Sequence, residues 1–150
     1  MVIMKIMFIC TGNICRSAMA EYLARKLSRQ YKDNGKFKFF SSGLYAQNGD
    51  IPTENAINTM KEYNIDISNH RATNILDSNI EDMDYIFCMT KSHKMQTINM
   101  FPNKKDNIYM LKEFAENKME DISDPWGCNI EVYKNCASEI EKELRLMFKK

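Results

Sequence analysis

Three features of this sequence predict an α/β fold: a single-domain, three-layer sandwich with a four-stranded, mostly parallel sheet and helices on both faces. Short strand-like runs alternate with stretches of helical periodicity, and the first run is apolar on both faces. The chain's 150 residues suffice for one compact domain that buries roughly two-thirds of its unfolded surface. Strands alternating with helices imply right-handed crossovers between parallel strands. In such sheets ligands bind beyond the carboxyl ends of the strands.

The elements follow in order. Val2 to Ile9 reads as a strand covered on both faces. After a short loop, Ala20, Leu23, Ala24, Leu27 and Tyr31 recur at helical spacing, and the polar turn KDNGK (32–36) ends that helix. A second strand is expected at Lys36 to Ser41. A helix should begin near Thr53, just past Pro52. DYIFCM (84–89) makes a third strand, followed by a helix through KSHKMQTINMF (91–101) that Pro102 stops. NIYML (107–111) is expected as the fourth strand. The last helix should run from Ile130 to Phe148, with Tyr133, Cys136, Ile140, Leu144 and Met147 along its inner side.

Charge and cysteine usage exclude several classes of function. A formal net charge of +1 leaves no basic surplus for nucleic acid or an anionic membrane. The N-terminal apolar run carries Lys5 and falls far short of the roughly 20 residues that span a bilayer, and no signal-peptide cleavage pattern follows it. Five cysteines in no metal-binding or disulfide-framework spacing point to reduced thiols. A cytoplasmic monomer without metal or cofactor is the expectation.

The stretch CTGNICRS (10–17) concentrates the chemistry. It lies between the end of a buried strand and the first turn of a helix, where backbone N–H groups lack partners and favour an anion. Thr11, Gly12, Asn13, Ile14, Cys15, Arg16 and Ser17 would form that cradle. Gly12 is expected to relax the backbone for the tight wrap, and Arg16 to close the ring with a planar fork on two phosphate oxygens. Cys10, at the floor, would be favoured as thiolate by the amides, the helix dipole and Arg16, with Ser17 donating to the sulfur. Such a sulfur can attack phosphorus and form a phosphocysteine. Without a Gly-Lys-Ser/Thr ending, a nucleotide-binding phosphate loop is excluded. Cys15 could trap an oxidised Cys10 as a reversible disulfide or merely pack beneath the loop, and both readings stand.

A phosphomonoester also needs an acid for its leaving group. Asp124, held by Pro125 in EDISDPWG (120–127), is the best-placed carboxylate; Asp121 lacks the adjoining proline. The early C-x5-R-S and the late Asp-Pro-Trp, together with SSG (41–43), SNH (68–70) and DYIFCM, resemble the low-molecular-weight protein tyrosine phosphatase family over nearly the whole chain. The resemblance implies Cys10 as nucleophile, Arg16 as phosphate clamp and Ser17 as donor to the thiolate. It further implies Asp124 as general acid and base, and Cys15 as protective redox partner. Asn13, Ser41 and His70 then match a supporting hydrogen-bond network. His93 is read as solvated surface.

Tyr45 and Trp126 are expected at the rim, where facing rings would stack on a phosphotyrosine; Tyr45 could equally be a loop anchor. GLYAQNGDIPTENA (43–56) and LKEF with DISDPWG resemble a bacterial branch that includes protein-arginine phosphatases. Those carry a threonine where this chain has Ile14, whose methyl groups suit a phenyl ring and cannot orient a guanidinium. The expected activity is therefore hydrolysis of phosphotyrosine in a protein or peptide, with inorganic phosphate or other oxyanions fitting the same loop; an arginine phosphatase is the alternative. Arsenate reductases, also related, relay oxidation through further cysteines. Cys88 has no second cysteine after it before Cys128, so it is read as core, and Cys128 and Cys136 receive no role. A binding module without turnover would lack the nucleophile or the acid.

Overall fold

The computed structural model describes residues 2–31 and 35–150, so Lys32, Asp33 and Asn34 of the expected turn lie outside the described residues. Four strands, β1 (Met4–Cys10), β2 (Phe37–Gly43), β3 (Tyr85–Cys88) and β4 (Ile108–Met110), form one sheet in the order β2-β1-β3-β4. All three pairings are parallel. β1 is central because its side chains are apolar in both directions. Ile6, Phe8 and Cys10 face one core, and Met7 and Ile9 face the other.

The first core lies beneath α1 (Arg16–Ser28), α2 (Glu54–Lys61), α4 (Leu111–Glu116) and α5 (Ile130–Phe148). The second is covered by α3 (Lys91–Met100) and by short 3₁₀ turns at Ile75–Asp77 and Ile80–Asp82. α5 has the expected bounds, and its five inner residues are all buried. Thr53 caps α2, accepting from the Ala56 N–H. Tyr31 belongs to a 3₁₀ turn after α1 and stacks on Phe148 at 5.9 Å. Among the described residues no helix is long and apolar enough to cross a membrane.

Several boundaries differ from expectation. β1 starts at Met4, beyond the exposed Val2 and Ile3, and reaches Cys10, which pairs with Gly43 at the end of a longer β2. β4 stops at Met110 because Leu111 opens α4, a helix absent from the sequence reading. The Glu113 carboxylate accepts from the Met110 N–H at 3.0 Å and turns the chain there.

The strand ends also carry the loop that follows β1. Leu44 N–H donates to the Cys10 carbonyl at 3.0 Å, and Tyr45 N–H to the Thr11 carbonyl at 2.9 Å. Gly43 lies so close beneath that loop that a Cβ would stand 2.5 Å from the Thr11 carbonyl oxygen and 2.9 Å from the Asn13 nitrogen. Neither backbone atom can swing aside as a side-chain end would. Gly43→Ala should therefore lower unfolding free energy by about 1–3 kcal/mol, the usual cost of overpacking. Urea denaturation tests this, and a variant as stable as the native chain would show that the loop is not pinned at position 43.

Candidate active site

Residues 10–17 wrap from the end of β1 into the first turn of α1. One residue of this loop lies in the left-handed region, Asn13 at φ 58°. Gly12, the expected source of backbone freedom, has no such φ, and a Cβ there would make only ordinary contact with Ile14 at 3.5 Å. Asparagine tolerates the left-handed region because its short polar side chain can bond locally.

Asn13 is the hub of a buried network. Its Nδ2 donates to Ser17 Oγ at 2.8 Å and to Ser41 Oγ at 2.9 Å. Its Oδ1 accepts from Thr73 N–H at 2.9 Å, and its carbonyl accepts from His70 Nε2 at 2.9 Å. A carbonyl can only accept, so Nε2 carries the proton and Nδ1 is left to accept from the Tyr22 hydroxyl at 3.3 Å. Ser41 in turn donates to Glu21 at 2.6 Å, and Glu21 pairs with Arg25. Burial raises the Glu21 carboxyl above its ordinary range, opposed by Ser41 and Arg25.

Ser17, with a lone pair filled by Asn13, stands 2.9 Å from Cys10 Sγ. Its proton is best directed at that sulfur, since the competing acceptor, the Ser42 carbonyl, lies at 3.5 Å. Arg16 is buried, with Nη1 donating to the Ile122 carbonyl at 2.8 Å and Nη2 3.6 Å from Asp124 Oδ2. Asp124 accepts from the Trp126 N–H at 3.0 Å, which holds the Asp-Pro-Trp turn. A cavity of about 250 Å³ is lined by Cys10, Thr11, Gly12, Ile14, Cys15, Arg16, Asp124 and Trp126.

Other expected residues lie elsewhere. Tyr45 is outside that lining; its ring is exposed and its hydroxyl donates to Gln96 at 2.7 Å. Asp121 instead accepts from the first N–H of α3, that of Lys91, at 2.8 Å. Cys15 Sγ lies 3.3 Å from the Tyr133 hydroxyl and 3.8 Å from Thr53 Oγ1, and burial raises its thiol. All five cysteines are free. Cys88 packs in the core, where burial pushes it up to about 12.

His93 is not solvated surface. It is buried, and its Nε2 stands 2.9 Å from Thr11 Oγ1. Sequence reading also missed Glu21, Tyr22, Thr73, Ile122 and the Tyr133 hydroxyl. No apolar stripe in the sequence marked the buried face that holds His93. The buried residues of α3 are His93 and Thr97, so KSHKMQTINM carries no apolar stripe although it covers a sheet face.

Sulfur, guanidinium and carboxylate converging on an anion cradle are the equipment of a cysteine-dependent phosphatase. The relatives narrow this class. Residues 5–150 match the family described as low molecular weight phosphotyrosine protein phosphatase, and the chain belongs to it. A protein-arginine-phosphatase of Bacillus subtilis (strain 168) is 32% identical over 146 residues, covering 97% of this chain and 95% of its own. The crystal structure of a low molecular weight protein tyrosine phosphatase from T. tengcongensis aligns with a TM-score of 0.90 at 33% identity, over 97% of this chain and 98% of that one. A mutant of YwlE arginine phosphatase with a phosphorylated active-site serine aligns at 0.92 and 31%, over 97% and 94%. Two substrate names thus lie at nearly equal distance from this chain.

Burial, with Arg16 nearby, pushes the His93 imidazole down to about 4, and burial lowers His70 as well. A histidine in the unfolded chain takes its proton near pH 6.5. The folded state is therefore favoured above pH 6.5 by keeping these rings neutral, and that advantage is lost as pH falls toward 4. In urea denaturation, the stability of the native chain relative to His93→Gln should fall between pH 6.5 and 4 and stay level above pH 7. A difference independent of pH would show that the ring is not held neutral.

Proposed function

We propose that this phosphatase hydrolyses phosphotyrosine in proteins through a phosphocysteine on Cys10. The observation that carries the reading is that Ile14 and Trp126 line the same cavity as Cys10, Arg16 and Asp124. They supply apolar walls where a phenyl ring would lie, above the place where its phosphate would meet the sulfur.

The steps follow from the geometry. Loop amides and the Arg16 fork take the phosphate oxygens, which aligns phosphorus over Cys10 Sγ. The sulfur attacks, the S–P bond forms and the P–O bond to tyrosine breaks. Asp124 delivers a proton to the departing oxygen. In the second step Asp124, now a carboxylate, takes a proton from water as the water oxygen bonds to phosphorus. The S–P bond breaks, the electron pair returns to sulfur, and the Ser17 hydroxyl stabilises it. Inorganic phosphate then leaves. Thr11, Gly12, Asn13, Ile14 and Cys15 contribute the backbone of the cradle; Ser41 and His70 hold it through Asn13.

Arginine phosphatase activity is the second reading, favoured by the name of the Bacillus relative. Ile14 weighs against it, since a hydrocarbon wall offers a buried guanidinium no acceptor.

With an aryl phosphate and a metal chelator present, Cys10→Ser should abolish turnover, and Asp124→Ala should slow it roughly 10²- to 10⁴-fold. Turnover surviving in Cys10→Ser would end the phosphocysteine mechanism. On matched peptides the native enzyme should prefer phosphotyrosine over phosphoarginine by at least about tenfold, the scale of discrimination set by a pocket's shape and polarity. Ile14→Thr should move that preference toward phosphoarginine. A native preference for phosphoarginine would overturn the substrate assignment alone.

A further inference from the structure

α3 presents two polar side chains to the interior, and only one has an evident internal use. Thr97 Oγ1 donates to the His93 carbonyl at 2.7 Å, a bond within the helix. The His93 ring instead crosses to the phosphate loop, with Nε2 2.9 Å from Thr11 Oγ1. Its Nδ1 is buried and has no hydrogen-bond partner among the described residues. Thr11 follows Cys10 directly and lines the cavity, while its carbonyl is tied to the Tyr45 N–H.

The orphaned nitrogen decides the tautomer. A proton on Nδ1 would bury an N–H without an acceptor, which folded proteins rarely tolerate, whereas an unfilled lone pair costs less. The proton therefore sits on Nε2 and points at Thr11 Oγ1. With that oxygen accepting from His93, the Thr11 hydroxyl proton is left for the cavity.

We propose that His93 is a positioning residue of the phosphate loop, whose Nε2–H fixes the Thr11 hydroxyl so that its O–H donates to the anion held over Cys10. This rests on the phosphatase reading of the site and adds a side-chain donor to a cradle otherwise made of amides and Arg16. A second-row role of this kind strengthens binding of any phosphoryl oxygen and does not select the leaving group.

The test is a double-mutant cycle on positions 11 and 93, read both as kcat/KM for an aryl phosphate and as direct binding of inorganic phosphate by calorimetry. Thr11→Val and His93→Leu should each weaken phosphate binding about tenfold, the scale of one hydrogen bond to a charged group. In the Thr11→Val background His93→Leu should cost nothing further. His93→Gln, whose amide nitrogen reaches the place of Nε2, should restore most of the affinity. A merely structural histidine would give additive losses and no rescue, and either result overturns the proposal. Should His93→Leu fail to fold, native phosphate affinity in Thr11→Val, a change at an exposed loop residue, would overturn it equally. Turnover lost in Cys10→Ser together with additive losses at 11 and 93 would leave the phosphatase reading intact and remove this one.

Discussion

One left-handed residue carries the geometry of the site. The loop that runs from the end of β1 into α1 passes once through positive φ, and it does so at Asn13. A non-glycine residue there costs on the order of 1–3 kcal/mol. Four hydrogen bonds from the same residue offset that cost, to Ser17, Ser41, the Thr73 amide and His70. A glycine would relieve the strain and lose the three bonds of the side chain. The asparagine thus does two things that glycine cannot: it locks the turn, and by occupying the Ser17 oxygen it leaves the Ser17 proton for the Cys10 sulfur.

The rest of the fold is arranged around that constraint from opposite sides. Behind the loop, Ser41 and Glu21 extend the network into the interior, and burial favours the neutral form of His70, whose ring lies between the Asn13 carbonyl and the Tyr22 hydroxyl. A neutral ring suits a place already holding Arg25 and Arg71, both of which disfavour a further positive charge. Toward the mouth, Arg16 is aimed by the Ile122 carbonyl, so the clamp and the segment bearing Asp124 are set by one bond. That segment is itself tied to the sheet end, because Ile122 N–H donates to the Met89 carbonyl at 2.8 Å, just past β3. Asp124 and Cys10, 114 positions apart in the chain, are thereby placed from adjacent strands.

Periodicity made the framework legible. α5, with a clean apolar side over 19 residues, matches its expected bounds, and every strand was anticipated within a few residues. Local chemistry was less so. NIYML reads as one strand, and the turn into α4 depends on the Glu113 carboxylate meeting the Met110 amide, which no spacing reveals. Gly12 attracted the backbone role because glycine is the usual source of freedom, whereas the bonds that let Asn13 take it come from residues 4 to 60 positions away. Tyr45 was placed at the rim by loop position alone, and its hydroxyl turns to Gln96 on α3 instead. His93 was misread for the converse reason: a polar residue on a helix without a stripe looks solvated until the sheet beneath is known.

On the proposed reading, a division of labour within the cavity accounts for relatives of the same fold bearing different substrate names. The proposed cradle, loop amides with Arg16 and the Thr11 hydroxyl, is held by a network buried behind it and would meet the phosphoryl oxygens that every phosphomonoester or phosphoramidate shares. Whatever departs from phosphorus meets a much shorter set of side chains, Ile14, Asp124 and Trp126. Of these, Asp124 as the proposed acid would serve any leaving group that needs a proton, so it would discriminate weakly. Ile14 is different, because its backbone belongs to the cradle while its side chain faces the mouth. Its side chain takes no part in the hydrogen bonds of Asn13. If the proposed reading holds, substrate preference turns on the identity of residue 14 while the anion cradle stays the same, and overall similarity, nearly equal for the two substrate names, does not decide it.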